Sequence, residues 1–244
     1  MKQSLFEIVS NIHLTRDVMK MVLRGDTSAI TAPGQFINIK LDGLFLRRPI
    51  SVCDYDESTV TILYKIVGKG TEAMAAMESG TLDILTGLGN GYDLSLSGDR
   101  PVLIGGGVGV PPMYNLCKKL IAQGKTVSVI LGFNTRSEIF YEEEFKALGA
   151  SVSVTTVDGS YGIKGFVTDA LKDIDYTYFY TCGPEPMLKA VYRFSTTSGQ
   201  MSFEQRMGCG FGACMGCSCK TITGYKRICK EGPVMKKEEI LWEA

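Results

Sequence analysis

Four cysteines near the end of the chain keep one spacing: Cys209, four residues, Cys214, two residues, Cys217, then eleven residues to Cys229. That is the C-x4-C-x2-C…C pattern of plant-type [2Fe–2S] ligation. Small residues fill the run, and the backbone amides of Gly208, Gly210, Gly212 and Ala213 can approach cluster sulfurs and stabilise their negative charge. A bulky loop could not wrap so tightly. A structural zinc site also takes four thiolates and is the competing reading. Zinc ligands usually come as two short knuckles, whereas here three share one loop and the fourth stands alone. The remaining cysteines decide against a disulfide framework, because Cys53, Cys117 and Cys182 are scattered. Cys219, two residues after Cys217, reads as a neighbouring buried thiol, or alternatively as a substitute ligand.

The cluster segment follows about 200 residues of ordinary globular sequence, enough for two small domains. Lys and Arg number 26, as do Asp and Glu, so no net field draws nucleic acid or an anionic membrane. The first ten residues lack an apolar signal core, and no run reaches the 18 or so apolar residues of a spanning helix. A cytoplasmic location is expected. The single histidine, His13, has no partner pattern, which excludes histidine-based catalysis.

Residues 1–97 read as an antiparallel β-barrel. Short β-branched runs at Val18 to Leu23, Gln35 to Ile39, Pro49 to Cys53, Val60 to Ile66 and Leu82 to Leu85 are parted by turn residues, with one helix expected at Thr71 to Met77. Residues 98–199 change style, to a parallel α/β domain. Strands at Val102 to Ile104, Val127 to Leu131, Val152 to Thr155 and Tyr178 to Thr181 alternate with helices at Pro111 to Ala122, Glu142 to Leu148, Gly165 to Leu171 and Glu185 to Phe194. Pro111 at a helix start and Gly124 beyond its end fit the usual asymmetry. Residues 200–244 form the [2Fe–2S] segment.

Two glycine turns suit a dinucleotide. Gly105, Gly106, Gly107, Val108 and Gly109 link an apolar strand to a helix, where glycine lets the backbone approach a pyrophosphate and the helix start offers free N–H groups. Val110 stands where the last glycine of G-x-G-x-x-G would be, so the turn alone could merely permit a tight connection. Cys182, Gly183, Pro184 and Glu185 follow a later strand in the same way, and two such turns delimit a crevice. In the first domain, Arg48 before a strand, with Gly70 and Thr71 at a helix start, could clamp a second pyrophosphate. Taken singly, Arg48 would be a surface charge and Gly70 a turn residue.

Assembled in order, these motifs resemble the ferredoxin reductase-like flavoprotein superfamily, and more narrowly the electron-transfer subunits of type B, NAD-dependent dihydroorotate dehydrogenases. The marks include Pro33-Gly34-Gln35-Phe36, Arg47 to Ser51, the Gly105 to Pro112 turn, Phe140 to Glu144, Cys182 to Met187 and Glu204 to Cys209, across nearly the whole chain. The resemblance implies FAD, NAD and one [2Fe–2S] cluster. It places Arg48 on the FAD pyrophosphate, Pro49, Ile50 and Ser51 along the flavin with Ser51 near N5, and Lys65, Ile66 and Val67 as backbone contacts. Gly70 and Thr71 would cap the pyrophosphate, and the two glycine turns would take the nicotinamide nucleotide. It also implies a separate FMN-containing catalytic subunit, in a heterotetramer, serving pyrimidine synthesis. Asn134-Thr135-Arg136 departs from the pattern, since an acidic residue there would favour an unphosphorylated ribose. The alternatives are a ferredoxin-, hydrogenase- or sulfide-dehydrogenase-linked NAD(P)H oxidoreductase subunit, or a zinc-stabilised module with no redox role.

Overall fold

The computed structural model describes residues 1–242. The first six strands are β1 (Lys2–His13), β2 (Val18–Arg24), β3 (Phe36–Ile39), β4 (Arg48–Tyr55), β5 (Thr59–Lys65) and β6 (Thr81–Leu88), closing an antiparallel barrel in the order β1-β2-β5-β4-β3-β6. Closure depends on β1, which pairs with β6 through residues 2–7 and with β2 through residues 7–13. A register shift between Ile8 and Ser10 accompanies the change of partner. The apolar-run reading omitted this strand because Leu5, Val9 and Ile12 point outward, which blurs the period-2 signal. Inside, Phe6, Met21, Ile37, Ile62 and Ile84 form a closed core.

Between β5 and β6 lies α1 (Lys69–Ala75), two residues earlier than the sequence pattern suggests. Thr71 sets the start, its hydroxyl accepting from the Val67 and Gly68 N–H groups at 2.9 and 3.2 Å and donating to the Gly68 carbonyl. Those bonds satisfy groups that a helix start leaves open.

The second sheet has β7 (Pro101–Gly106), β8 (Ser128–Phe133), β9 (Ser151–Thr156), β10 (Ile163–Lys164), β11 (Tyr178–Cys182), β12 (Gly199–Ser202) and β15 (Val234–Lys236) in the order β10-β9-β8-β7-β11-β12-β15. All neighbours are parallel except β12 and β15. Its helices are α2 (Pro111–Ala122), α3 (Glu142–Ala147), α4 (Val167–Leu171) and α5 (Glu185–Phe194). The bounds of α2 and α5 are those expected from the sequence. β12 and β15 escaped detection because each is short and lies beyond the regular alternation. A hairpin, β13 (Ser218–Thr221) with β14 (Gly224–Arg227), completes the cysteine-bearing region.

Shared cores join the parts. One face of the α/β sheet packs Leu103, Val129 and Leu131 with barrel residues Val18, Cys53 and Leu63. The other packs Ile104 and Phe179 with Phe36 and Leu88 of the barrel and with Cys217, Ile228 and Cys229. The cysteine segment is therefore built into the same apolar interior that unites barrel and sheet. No helix among the described residues is long and apolar enough to cross a membrane.

Candidate functional site

The four spaced cysteines come together as two pairs. Cys209 and Cys214 are joined reciprocally, each backbone N–H pointing at the other's Sγ at 3.5 Å, and the Ala213 N–H reaches Cys209 Sγ at 3.2 Å. The Cys229 N–H points at Cys217 Sγ at 3.4 Å. Among the described residues no three His, Cys, Asp or Glu converge as for a single metal ion. Two thiol pairs match instead the donor set of a two-iron cluster, which spreads four thiolates over two metals. Burial pushes the Cys209 thiol up, but N–H groups of Phe211, Cys214 and Ala213 outweigh it and bring its pKa to about 6. Burial and the Cys217 thiol push Cys229 up to about 12. A bound cation removes that conflict, because ligation deprotonates a thiol outright.

The loop glycines act less uniformly than their spacing suggests. Gly208 lies against Cys214, where an added Cβ would stand 3.2 Å from Sγ, and the Gly212 N–H lowers the Cys229 pKa. Gly210, at φ +75, has no room for a side chain because a Cβ would strike the Asn38 amide. Cys219 is partly buried with its thiol 3.8 Å from Met235 Sδ, outside both pairs.

Two adjacent arginines stand at the start of β4 and have different fates. Arg47 ion-pairs with Asp83 at 3.0 Å and donates to the Asn38 and Asp83 carbonyls, so it fastens the barrel. Arg48 reaches back to the Leu46 carbonyl and lies over Gly70, where any Cβ would collide with its guanidinium. A cation over a side-chain-free helix start could hold a pyrophosphate. Thr71 has only its main chain to offer there, its hydroxyl being committed to its own turn. Pro49, Ile50 and Ser51 are half-buried along β4 opposite Asn38, Ile37 and Phe36. Lys65 ion-pairs with Asp17 at 2.9 Å, and the Ile66 N–H donates to the Asp17 carbonyl at 2.8 Å, which braces the main chain leading to exposed Val67.

The two glycine turns face each other at the carboxyl ends of β7 and β11. Gly109 must lack a side chain because a Cβ would overlap the Cys182 carbonyl, and Gly105 and Gly106 are closed off by Val110 and Met187. Gly183 is closed off by Met187 as well. Gly107 differs, with φ +51 and open space where its Cβ would be. Tight packing thus explains most of these glycines, while Gly107 and half-exposed Val108 border a crevice lined by Asp17, Lys65, Phe133 and Phe140. Burial pushes the Cys182 thiol up to about 12, so it is a neutral wall. Pro184 caps α5, and Glu185 in its first turn pairs with Lys189 at 2.6 Å. Beyond β8, Arg136 lies 5.6 Å over the Tyr161 ring, and Glu138 accepts from the Asn134 side-chain amide at 3.0 Å.

The sequence reading missed Asn38 and Asp54. Asn38, on β3, donates to the Cys209 carbonyl at 3.2 Å. Asp54, on β4, holds α2 through Asn115 and Lys118. Neither carries a local motif, since each acts on a partner far away in sequence.

A closed barrel, a parallel α/β sheet and a thiol-pair loop define an iron–sulfur protein with the ferredoxin reductase-like fold. Residues 204–241 match the iron–sulfur cluster binding domain of dihydroorotate dehydrogenase B, and residues 103–193 the oxidoreductase NAD-binding domain. The electron transfer subunit of dihydroorotate dehydrogenase B (NAD(+)) from Fusobacterium nucleatum is 43% identical, with 96% of each chain covered. That of a Geobacillus species is 40% identical over 99% of each. The chain belongs to this family of electron transfer subunits. Among solved structures, a chain of an NADH-dependent reduced ferredoxin–NADP oxidoreductase superposes with a TM-score of 0.87 at 30% identity, covering 98% of this chain and 90% of that one. A ferredoxin NADP+ reductase from Neisseria gonorrhoeae, solved with FAD and NADP, shares the fold at a TM-score of 0.70 and 19% identity, covering 80% of this chain and 90% of that one.

Proposed function

We propose that this chain is the electron-transfer subunit of a cytoplasmic, NAD-linked dihydroorotate dehydrogenase, working in a heterotetramer with an FMN-containing catalytic subunit to pass electrons through [2Fe–2S] and FAD to NAD+ in pyrimidine synthesis. The observation that carries the reading is the packing of the Cys217–Cys229 pair into the core that also holds Phe36 of β3, with the Cys209–Cys214 pair on the adjoining loop, next to the strand bearing Arg48. A nicotinamide exchanges a hydride, a [2Fe–2S] cluster exchanges one electron, and a flavin can do both.

The chain's own residues supply binding and order. Cys209, Cys214, Cys217 and Cys229 hold the cluster. Arg48 and the N–H groups of Gly70 and Thr71 bind the FAD pyrophosphate, Pro49, Ile50 and Ser51 line the ring, and the Lys65 to Val67 main chain borders it. Gly105 to Gly109 and Cys182 to Glu185 receive NAD. Phe211, Met215 and Tyr225 are 44%, 53% and 71% exposed around the thiol loop and offer an apolar docking face to the catalytic subunit. The only histidine, His13, is exposed and bonded to the Thr15 carbonyl.

The experiment is anaerobic purification, followed by the visible spectrum, iron and flavin content, and coexpression with an FMN-containing dihydroorotate dehydrogenase subunit. The complex should reduce NAD+ with dihydroorotate, and the single chain should reduce artificial one-electron acceptors with NADH. Turnover of dihydroorotate by the single chain would overturn the reading. Likeness to the reduced ferredoxin–NADP oxidoreductase favours ferredoxin as the partner in a second reading, for which ferredoxin-dependent NAD+ reduction without the catalytic subunit is the mark.

A further inference from the structure

We propose that Asn38 is a positioning residue for electron passage: its amide fastens the cluster loop to the barrel wall that bears the flavin. The inference rests on the reading just given, that the loop holds [2Fe–2S] and the barrel holds FAD.

Asn38 sits on β3 directly opposite Pro49 of β4, one residue beyond Arg48. Its side chain leaves the barrel for the cysteine loop, where Nδ2 donates to the carbonyl of Cys209, 171 residues away. The loop is shaped to receive it, since Gly210, at φ +75, leaves the space that the amide fills. The anchor behind it is firm. The Asn38 carbonyl accepts from Arg47 Nη1 at 3.3 Å, and Arg47 is ion-paired with Asp83. One ordered path of side chains and main chain therefore runs from the strand proposed to line the flavin to a proposed cluster ligand.

Packing alone does not account for this residue. Asn38 is 1% exposed, and among the described residues its Oδ1 has no donor. A buried amide with one end unpaired is costly, so an apolar side chain would serve a packing role better. Thiolates and sulfides only accept hydrogen bonds, so cluster sulfur does not satisfy Oδ1. The Nδ2–H dipole also turns its positive end towards Cys209, which favours the more negative, reduced cluster.

The test uses the full chain purified anaerobically with its flavin and iron, whose wild-type spectrum and iron-to-flavin ratio check the underlying reading separately. Asn38→Leu keeps size and removes the donor. Asn38→His restores one, because imidazole Nδ1 can occupy nearly the same place. Stopped-flow mixing with NADH separates flavin bleaching from cluster bleaching, and anaerobic titration gives the cluster's midpoint potential. In Asn38→Leu the second phase should slow about tenfold relative to the first, and the potential should fall by about 59 mV, the one-electron equivalent of a tenfold change in equilibrium constant. Asn38→His should recover both. Loss of iron from the leucine variant alone, with flavin retained, would also support the assignment. Unchanged rate and potential in Asn38→Leu, equal defects in both variants, or loss of iron from both would overturn it.

Discussion

Asn115, in the middle of α2, donates a 2.6 Å hydrogen bond to Asp54 near the end of β4, and Lys118 reaches the other carboxylate oxygen at 2.9 Å. β4 starts at Arg48, and α2 follows the Gly105 to Gly109 turn, so this contact ties the strand proposed to line the flavin to the turn proposed to receive the nucleotide. Asp54→Ala leaves the buried Asn115 amide unpaired, at a cost of about 1 to 3 kcal/mol. The half-exposed Lys118 pair adds little. Thermal unfolding should shift down by about 2 to 4 °C per kcal/mol. The rate of flavin reduction by NADH should fall more than FAD affinity does. An unaltered melting temperature together with an unaltered rate would show that the contact does not register the two domains.

Arg48→Ala removes the cation over Gly70 and a charge-assisted hydrogen bond of about 1.5 to 3 kcal/mol. FAD affinity should drop roughly 10- to 100-fold, measured by fluorescence titration of apoprotein. Arg47→Ala should instead lower stability, because its partner is Asp83 of the barrel. Equal flavin affinity in wild type and Arg48→Ala would return Arg48 to the role of a surface charge.

Cys214→Ser should abolish the cluster while FAD stays bound, since Cys214 pairs with Cys209 on the loop, whereas the Arg48 guanidinium lies over Gly70. NADH should still bleach the flavin. The measurement is iron content beside flavin content, and full iron in the variant would remove Cys214 from the ligand set.

The cysteine segment should lose stability in acid in a defined window. The Arg227 guanidinium beside Glu231 holds its carboxyl at about 2, below the ordinary value of 4.5. A carboxyl whose folded pKa is depressed stabilises the fold above its unfolded pKa, and this contribution disappears as pH falls from about 4.5 towards 2. Arg227 also donates to the Gly212 carbonyl, so the pair holds the thiol loop. Trp242, the only tryptophan, packs on Tyr192 and Phe203, each at 5.5 Å, and its fluorescence reports this region. Unfolding temperature followed at Trp242 should fall through that window in wild type and less in Glu231→Gln. Identical pH profiles would exclude the pair as the cause.

Legibility in the sequence followed the range of the forces involved. Pro111, with Gly124 beyond the helix end, marked α2 because helix starts and stops are local preferences. β4 and β5 were visible because their buried residues alternate or cluster over a few positions. β1 was not, because apolar Leu5, Val9 and Ile12 stand among its exposed residues, nor were β12 and β15, whose strand character comes from neighbours in the sheet.

At the site the same division holds. Cysteine spacing alone named the four thiols, since ligand type and loop length are written in the chain. Only the tertiary structure paired Cys209 with Cys214 and Cys217 with Cys229, committed Arg47 to Asp83 while leaving Arg48 over Gly70, and turned Thr71 inward. It alone brought Asn38 to Cys209 and Asp54 to Asn115, across separations of 171 and 61 residues. A local pattern records what a residue can do, whereas hydrogen-bond and ion-pair partners are chosen by packing between distant segments, which no periodicity of the chain encodes.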